Sequence, residues 1–331
     1  MSTATETGVV RYMDAVREGI ADEMRRDESV ILIGIDVGAS GGIFAVTRGL
    51  AEEFGPDRIR DTPISEMAFV GAAVGAAATG LRPVVEIMFM DFIGVCFDPL
   101  LNQASKLRYM TGGLLEFPVV LRTQTGAGRS SGAQHSQSLE AIVAHVPGLK
   151  VVLPGTVEDA YTLMRLAIRD PNPVVYVENR RLYGRKGQLP GDAPPLPIGK
   201  ARIAREGADV TVAAWSRMVE VALQAAEQLA PEGVDVEVVD LRSLVPMDVE
   251  TIVASVSKTG RAVVAHEAVV DFGAGAEVVS RIVEHAYDRL RAAPVRVGAP
   301  PVPLPFSPPL ESACIPDAGR IAKGIRAALA S

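Results

Sequence analysis

The sequence predicts an α/β protein with two successive parallel-sheet domains, and three observations lead to this fold class. The chain has 331 residues, enough for about two domains. Short, continuously apolar segments alternate with longer segments whose apolar residues recur every three or four positions, a pattern typical of buried parallel strands alternating with amphipathic helices. A stretch rich in proline and glycine, Asn179–Lys200, interrupts this alternation, which then resumes.

In the first half of the chain, the spacing of apolar residues predicts a first helix at Gly8–Arg26. The continuously apolar segment Val30–Gly34 predicts a buried strand after it. Ser65 is a candidate N-cap for a helix that is rich in alanine and glycine. The other predicted strands are Arg58–Arg60, Pro83–Met88, Pro118–Thr123, Lys150–Leu153 and Pro173–Val177, and the other predicted helices are Phe44–Phe54, Ser65–Thr79, Pro99–Tyr109, Gln137–His145 and Val157–Ile168.

The composition places the first domain at residues 1–185, a linker at 186–200 and the second domain at 201–331. Near the end of the chain, Gly298–Pro309 contains six prolines, which predicts an ordered crossing over the surface. The strands predicted in the second domain are Val210–Ala214, Val234–Val239, Ala262–His266 and Val295–Val297, and the helices are Met218–Leu229, Val249–Ser257, Ala276–Leu290 and Pro316–Leu329.

Composition and charge exclude several classes of protein. With 33 Lys and Arg against 40 Asp and Glu, the formal net charge is −7, and no basic block is present to bind nucleic acid. Cys96 and Cys314 are far apart in the sequence, which argues against a disulfide framework and favours a reducing cytoplasm. The apolar content of 48% and the mean hydropathy of +0.22 suggest surface that a partner covers.

Neither an export signal nor a membrane span is expected. The segment Met1–Gly8 is polar and acidic, without the basic and apolar regions of a secretory signal. The charge-free run Met67–Leu81 is shorter than the ~20 residues that a spanning helix needs, and it consists mostly of glycine and alanine. We expect a helix here whose small side chains allow another backbone to approach closely.

Glu66 and His135 are the most informative polar residues. His135 lies in a loop just beyond a central predicted strand, at the sheet edge where ligands of parallel sheets bind; a surface-loop histidine is the alternative. Glu66 begins the alanine- and glycine-rich helix, and two interpretations remain open. It is either an ordinary first-turn glutamate favoured by the helix dipole, or a desolvated carboxyl that holds a proton near neutral pH.

The segment Gly128–Gly132 matches the G-x-S-x-G nucleophile elbow of serine hydrolases, with Ser130 as its serine. That motif requires a strand that ends directly before the turn and a helix that starts directly after it. Here the predicted strand ends near Thr123 and glycine-rich sequence continues beyond the motif. A flexible loop is therefore favoured over a hydrolase site.

Several motifs in order resemble one family. They are Asp61–Glu66, Glu86–Phe92, Ala133–Gln137 and His145–Lys150 in the first domain, with Val239–Leu244 and Val264–Glu267 in the second. Together they are similar to the beta subunit of the thiamine-diphosphate-dependent decarboxylase component of 2-oxo acid dehydrogenase complexes, of the pyruvate, branched-chain or acetoin type. The resemblance covers nearly the whole chain. It implies a pyrimidine-binding transketolase-like domain followed by a transketolase-type C-terminal domain.

The resemblance also implies roles for particular residues. Glu66 would hydrogen-bond N1′ of the cofactor's aminopyrimidine and favour the imino tautomer that activates the cofactor. Phe92 would stack on the aminopyrimidine ring, and Ile64 would lie near it. His135 would face the substrate side, where it orients the 2-oxo acid or the incoming lipoyl group.

The resemblance further implies cofactors and partners. Thiamine enzymes hold magnesium and the diphosphate on a Gly-Asp-Gly motif followed by Asn-Asn, which this chain lacks. A separate alpha subunit would therefore hold Mg²⁺, within an α2β2 heterotetramer that serves a lipoyl acyltransferase core. The loop Ala167–Asn172 resembles a potassium-binding loop of some members, with Asp170 and Asn172 matching, whereas Val120 stands where those members have threonine.

Two other functions remain open. Ile35 stands where many members carry an acid near the cofactor, which suggests a two-subunit thiamine-diphosphate carboligase or decarboxylase of a biosynthetic pathway. A non-catalytic subunit that only supports assembly is the other alternative.

Overall fold

The computed structural model describes residues 8–191 and 194–330, so the polar segment 1–7 lies outside the described residues. The described residues fall into two compact units. The first unit comprises the chain up to Thr125 together with Ile142–Ile198, and the second comprises Gly126–Ala141 together with the chain from Gly199 onward. A short segment from the middle of the chain therefore belongs to the second unit.

The first unit contains a parallel sheet with helices between its strands. Its strands are β1 (Val9–Arg11), β2 (Val30–Gly34), β3 (Ile59–Asp61), β4 (Arg82–Ile87), β5 (Val120–Thr125), β6 (Lys150–Val152), β7 (Val174–Asn179) and β8 (Lys186–Gln188). Its helices are α1 (Tyr12–Arg26), α2 (Leu50–Phe54), α3 (Glu66–Ala78), α4 (Ser105–Met110) and α6 (Val157–Arg169), while α5 (Glu140–Ala144) begins in the segment assigned to the second unit. A π-helical turn, Pro99–Ala104, precedes α4.

Within this unit the parallel strands lie in the order β6-β7-β5-β4-β2-β3. Strands β2, β5 and β7 are buried along their whole length. This burial is typical of a parallel sheet that helices cover on both faces. The sheet, α1 and α6 share one apolar core. Gly19 of α1 allows the close approach of α6, because a Cβ there would lie 3.0 Å from the carbonyl oxygen of Tyr161.

The sheet also buries three charged side chains. Glu86 of β4 stands directly beside Arg122 of β5 in the register, and the two form an ion pair. Arg122 Nη2 also donates to Glu178 of β7 at 3.0 Å. Burial, together with the neighbouring Glu178, raises the pKa of Glu86, while Arg122 opposes the shift.

The second unit has its own mainly parallel sheet, in the order β14-β13-β10-β11-β9, in which only the edge strand β9 runs antiparallel. A separate apolar core is built from the buried residues of this sheet and of the helices Arg217–Leu229 and Ala318–Leu329. The strands are β9 (Arg202–Arg205), β10 (Val210–Ala214), β11 (Val236–Asp240), β12 (Ser243–Val245), β13 (Ala262–Val269) and β14 (Val295–Ala299), and the helices are α7 (Arg217–Leu229), α8 (Val249–Thr259), α9 (Ala274–Ala286), α10 (Pro308–Cys314) and α11 (Ala318–Leu329).

The predicted α/β class with two parallel sheets is confirmed, and several element boundaries differ. Val9–Arg11 is a strand instead of the start of α1, because it pairs antiparallel with β8. The helix predicted at Phe44–Phe54 is reduced to α2, since Ala45 and Gly49 adopt positive φ values of 58° and 89°. The proline-rich crossing leads into α10, which the sequence pattern did not predict.

Candidate active site

Glu66 is the first residue of α3, and its side chain is buried, with 8% exposed. Ser65 occupies the N-cap position, as predicted, although its hydroxyl makes no capping hydrogen bond. Among the described residues, no hydrogen-bond or ion-pair partner reaches the carboxylate of Glu66. Burial raises the pKa of the neighbouring Cys96 thiol to about 12, and the charge of Glu66 adds to that shift. Glu66 is thus a buried acidic side chain without a protein partner among the described residues.

The surroundings of Glu66 are apolar and open to solvent. Ile64 is 81% exposed and Met67 is 58% exposed, although both are large hydrophobic residues. Phe92 lies in a 3-10 turn after β4, half-buried, with its ring edge-to-face on Phe89 at 5.6 Å between centroids. The buried carboxylate and these apolar side chains therefore belong to the same unit.

The helix that begins at Glu66 presents a face of small residues to solvent. We call this the small-residue face of α3, and define it as Ala68, Gly71, Ala72 and Gly75, all of which are exposed. A Cβ at Gly75 would meet no atom within 4 Å. The sequence predicted this helix. The structure shows that the residues of the small-residue face are exposed, while the opposite face of the helix is buried.

His135 belongs to the second unit, unlike the other candidate residues. It is half-buried in a loop between β5 and α5, and its backbone N–H donates to the carbonyl of Gly132 at 3.3 Å. The loop is held by two glutamates that the sequence analysis did not single out. Ala127 donates its N–H to Glu267, and Gly128 and Ser130 donate theirs to Glu311.

The context of a nucleophile elbow is absent around Ser130. Its φ of 52° resembles the strained turn of such a motif. However, β5 ends at Thr125 and the next helix does not begin until Glu140, so the serine is not held between a strand and a helix. Its N–H is already bonded to Glu311. The loop interpretation is therefore favoured by the geometry.

The second unit also encloses a cavity of about 430 Å³, a size typical of small-molecule sites. Most of its lining is apolar, from the His135 loop, the end of β13 and the proline-rich segment. The polar lining residues are Ser136, Gln137, Ser138 and Glu267, and the buried Ser136 hydroxyl has no hydrogen-bond partner among the described residues. Glu140, the first residue of α5, is buried and accepts a hydrogen bond from Trp215 Nε1 at 3.2 Å.

The side chains of Asp170 and Asn172 are already bonded to protein groups. Asp170 forms an ion pair with Lys150 and accepts hydrogen bonds from the backbone and side-chain amides of Asn172, each at 2.9 Å. Arg82 Nη1 donates to the nearby carbonyl of Ile168 at 2.9 Å. The Asp170 carboxylate thus has an ammonium partner, and potassium binding at this loop stays a prediction.

In the part of the chain that the structure describes, no three His, Cys, Asp or Glu side chains are grouped as a metal site would require. Cys96 and Cys314 are both buried, free thiols. No helix between residues 8 and 330, apart from the two undescribed positions, is long and apolar enough to cross a membrane.

The fold and the match to known domains define a transketolase-type protein. The transketolase pyrimidine-binding domain matches residues 9–186, and the transketolase C-terminal domain matches residues 199–321. A solved structure described as a split-gene transketolase, an inactive β4 tetramer, aligns with a TM-score of 0.77 over 97% of this chain and 98% of that one. At 24% identity, that likeness shows the fold alone.

Two relatives identify the family within this class of protein. The beta subunit of acetoin:2,6-dichlorophenolindophenol oxidoreductase from Cupriavidus necator is 47% identical over 322 residues, covering 94% of this chain and 95% of the relative. The pyruvate dehydrogenase E1 component subunit beta from Rhizobium meliloti is 42% identical over 324 residues, covering 98% of this chain and 70% of the relative. This chain belongs to the family of E1-type dehydrogenase beta subunits that these relatives represent.

Proposed function

We propose that this chain is the beta subunit of a heteromeric, thiamine-diphosphate-dependent dehydrogenase that acts on a 2-oxo acid or acetoin and passes the acyl group to lipoamide. The observation that carries the proposal is the buried, unpartnered carboxylate of Glu66 at the start of the small-residue face of α3. The family relationship supports the class of reaction. Free buried cysteines are consistent with the proposed location in the cytoplasm.

Glu66 is the residue that would hold the aminopyrimidine. When bound, thiamine diphosphate supplies a carbon nucleophile that can stabilise negative charge at the carbonyl carbon of the substrate. The carboxyl of Glu66 would hydrogen-bond the ring nitrogen N1′ and hold the proton that moves during activation. Burial beside the Cys96 thiol favours this role, because a desolvated carboxylate gains more from a ligand donor than an exposed one does.

Phe92 and Ile64 would bind the same ring through apolar contact. The ring of Phe92 is anchored by its edge-to-face contact with Phe89, which restricts its motion before a ligand arrives. Ile64 gains most from such a contact, because 81% of its surface is exposed without a ligand or partner. Covering it would contribute about 25 cal/mol for each Å² of apolar area buried.

His135 would orient the substrate or the incoming lipoyl group. An imidazole can donate or accept a proton near neutral pH, which suits a residue that handles carboxylate and carbonyl oxygens. Its half-buried position on a loop tied to the second unit supports a role that requires a fixed orientation.

A separate alpha subunit would hold Mg²⁺ and the diphosphate, in an α2β2 heterotetramer. The missing Gly-Asp-Gly and Asn-Asn motifs support a second chain for that end of the cofactor. The small-residue face of α3 supports a close helix contact with that chain, because Gly71 and Gly75 allow a backbone to approach. A potassium ion at Ala167–Asn172 would have to use backbone carbonyls, since the Asp170 carboxylate is paired with Lys150.

The decisive experiment compares Glu66→Gln with the wild-type chain, each co-expressed with the alpha subunit from the same genome. We expect reduction of an electron-accepting dye with acetoin or a 2-oxo acid to fall by at least about 10²-fold, while the complex still assembles. Glu52→Gln, an exposed glutamate of α2, is the matched control and should retain activity. Full activity in Glu66→Gln would disprove the assigned role.

Ile35 supports a second candidate, a carboligase that joins the same intermediate to an aldehyde or ketone. It is buried, with 6% exposed, directly after β2, at the position where the family resemblance implies an acid in many members. Product analysis separates the two functions: the carboligase predicts an acyloin product without lipoamide, and the dehydrogenase predicts acyl-lipoamide. A non-catalytic assembly subunit predicts no turnover in any reconstituted complex and no change in cofactor affinity in Glu66→Gln.

A further inference from the structure

The loop that carries His135 has a defined conformation without regular secondary structure. Between β5 and α5 the chain adopts positive φ angles at Gly126 (100°), Gly128 (94°), Ser130 (52°) and Gly132 (78°). For Ser130 this conformation costs about 1–2 kcal/mol relative to an extended or helical one. Other interactions of the loop must offset that cost and the conformational entropy that is lost when the loop is ordered.

Glu311 provides this stabilisation from α10. Its Oε1 accepts the N–H of Gly128 at 2.8 Å, and its Oε2 accepts the N–H of Ser130 at 2.9 Å. The side chain is only 2% exposed, so water does not compete for these oxygens. Alternate N–H groups of a short segment that converge on one anion form a nest, and here the anion is a side chain of the same unit.

Glu267 adds a third hydrogen bond to the same segment. Its Oε1 accepts the N–H of Ala127 at 2.8 Å, and its Oε2 lies 3.8 Å from Nη1 of Arg217. Three of the four consecutive residues Ala127–Ser130 therefore donate their N–H groups to buried or half-buried carboxylates. We call Glu267 and Glu311 the carboxylate clasp.

We propose that the carboxylate clasp positions His135 for the reaction, with Glu311 as its principal positioning residue. This inference rests on the proposed function, since it assumes that His135 faces the substrate. His135 follows the clasped segment by only a few residues, and its own N–H is bonded to Gly132. Fixing Gly128 and Ser130 thus fixes the start of the turn from which the imidazole projects. A misplacement of about 1 Å in such a group costs up to about 10²-fold in rate.

The chemistry of the clasp requires a carboxylate and not merely a side chain of the same shape. Both oxygens of Glu311 act only as acceptors, and each faces a backbone donor. In Glu311→Gln one oxygen becomes an NH2 group, which would point a donor at another donor. Glu311→Gln therefore loses one of the two hydrogen bonds to the segment, while the side chain keeps its volume and its packing within α10.

The activity test uses the complex reconstituted with the alpha subunit. For Glu311→Gln we expect kcat/KM for the 2-oxo acid or acetoin to fall by about 10- to 10²-fold, with the half-saturating thiamine diphosphate concentration unchanged within about twofold. Glu311→Asp keeps both acceptor oxygens and should recover part of the loss. Glu284→Gln, an exposed glutamate on α9, is the matched control and should equal wild type.

A second readout does not depend on activity. Arg129 is exposed and lies between the two clasped N–H groups, so trypsin cleavage after Arg129 reports release of the loop. We expect Glu311→Gln to be cleaved there at least about tenfold faster than wild type, because local opening controls the access of the protease. In the wild-type complex, the amides of Gly128 and Ser130 should exchange with deuterium slowly, although the loop has no ladder hydrogen bonds.

The outcomes separate this inference from the proposed function. Fast amide exchange at Gly128 and Ser130 in the wild type would overturn the clasp itself, whatever the enzyme's substrate. Faster cleavage after Arg129 with unchanged kcat/KM would overturn the positioning role. A loss of activity in Glu311→Gln without faster cleavage would also overturn it. Slow exchange in a wild-type complex that turns over no 2-oxo acid or acetoin supports the clasp and rejects the proposed function.

Discussion

Arg122 Nε lies 2.5 Å from Oε1 of Glu178 inside the first unit, where both side chains are almost completely buried. Because Arg122 also pairs with Glu86, one guanidinium neutralises two carboxylates in the interior of the sheet. This arrangement makes the arginine far more important for stability than either of its partners, since its removal leaves two adjacent buried acids.

We therefore expect Arg122→Met to lower the free energy of unfolding by about 3–5 kcal/mol in urea denaturation. Arg25→Met is the control: Arg25 pairs with Glu53 at 2.6 Å, but both are exposed, so we expect a loss of at most about 1 kcal/mol. The loss in Arg122→Met should be smaller at pH 5 than at pH 8. Without the cation, the pKa of Glu86, which burial already raises, rises further in the folded state, and a raised folded pKa costs stability as pH increases. Equal losses for the two arginines would contradict the prediction.

Gly148 is confined by a neighbouring backbone as well as by its own conformation. Its φ is 99°, and a Cβ there would lie 2.0 Å from the carbonyl oxygen of Ser105. Gly148→Ala should therefore cost about 1–3 kcal/mol more than Gly112→Ala, which has a φ of 64° and no atom near its Cβ position. Thermal unfolding of the two variants measures this difference. Similar unfolding temperatures would show that backbone strain alone matters at Gly148.

His266 is a buried, neutral core histidine. Burial lowers its pKa to about 4, and the charge of Arg296 adds to the effect, while the backbone of Ala268 opposes it. Its ring stacks on Trp215 at 5.3 Å between centroids. Because the folded pKa lies below the ordinary value of about 6.5, the unfolded chain takes up the proton first. The stabilisation is present above pH 6.5 and is lost as pH falls toward 4.

The unfolding free energy of the wild type should therefore fall more steeply between pH 6.5 and 4.5 than that of His266→Gln, by on the order of 2–3 kcal/mol over the whole range. The exposed His285 provides a control, since His285→Gln should follow the wild-type curve. Parallel curves for wild type and His266→Gln would refute the assignment.

The small-residue face of α3 makes a prediction about assembly. Gly75→Leu places a large side chain where no atom of this chain lies within 4 Å, so the isolated chain should keep or slightly gain stability. The same side chain would block a closely approaching helix of the alpha subunit, and we expect at least a tenfold weaker association, or about 1.4 kcal/mol. Gel filtration of the co-expressed chains measures this. Gln228→Leu, at an exposed position of α7, should assemble normally.

The fold class could be predicted from the sequence alone, as could the helix that begins at Glu66. Apolar periodicity is a local property, so the strands, most helices and the small-residue helix behind Glu66 could be predicted without knowing what they contact. The family resemblance is also confirmed, and the roles that it implies for Glu66, Ile64, Phe92 and His135 stay predictions. Prediction from apolar periodicity was wrong where strand pairing between distant segments overrides the local preference. Val9–Arg11, predicted as the start of a helix, is a strand because it pairs with β8.

Only the tertiary structure decided which distant residues meet. Glu311 lies in a proline-rich segment with no motif, yet its carboxylate binds Ser130, 181 residues earlier in the chain. The same holds for the pairing of Asp170 with Lys150, which no local pattern in the sequence indicated. Hydrogen bonds and ion pairs depend on positions within a few tenths of an ångström, and packing of whole elements sets those positions. The loop around His135 therefore acquires its shape from buried carboxylates that no local pattern reveals.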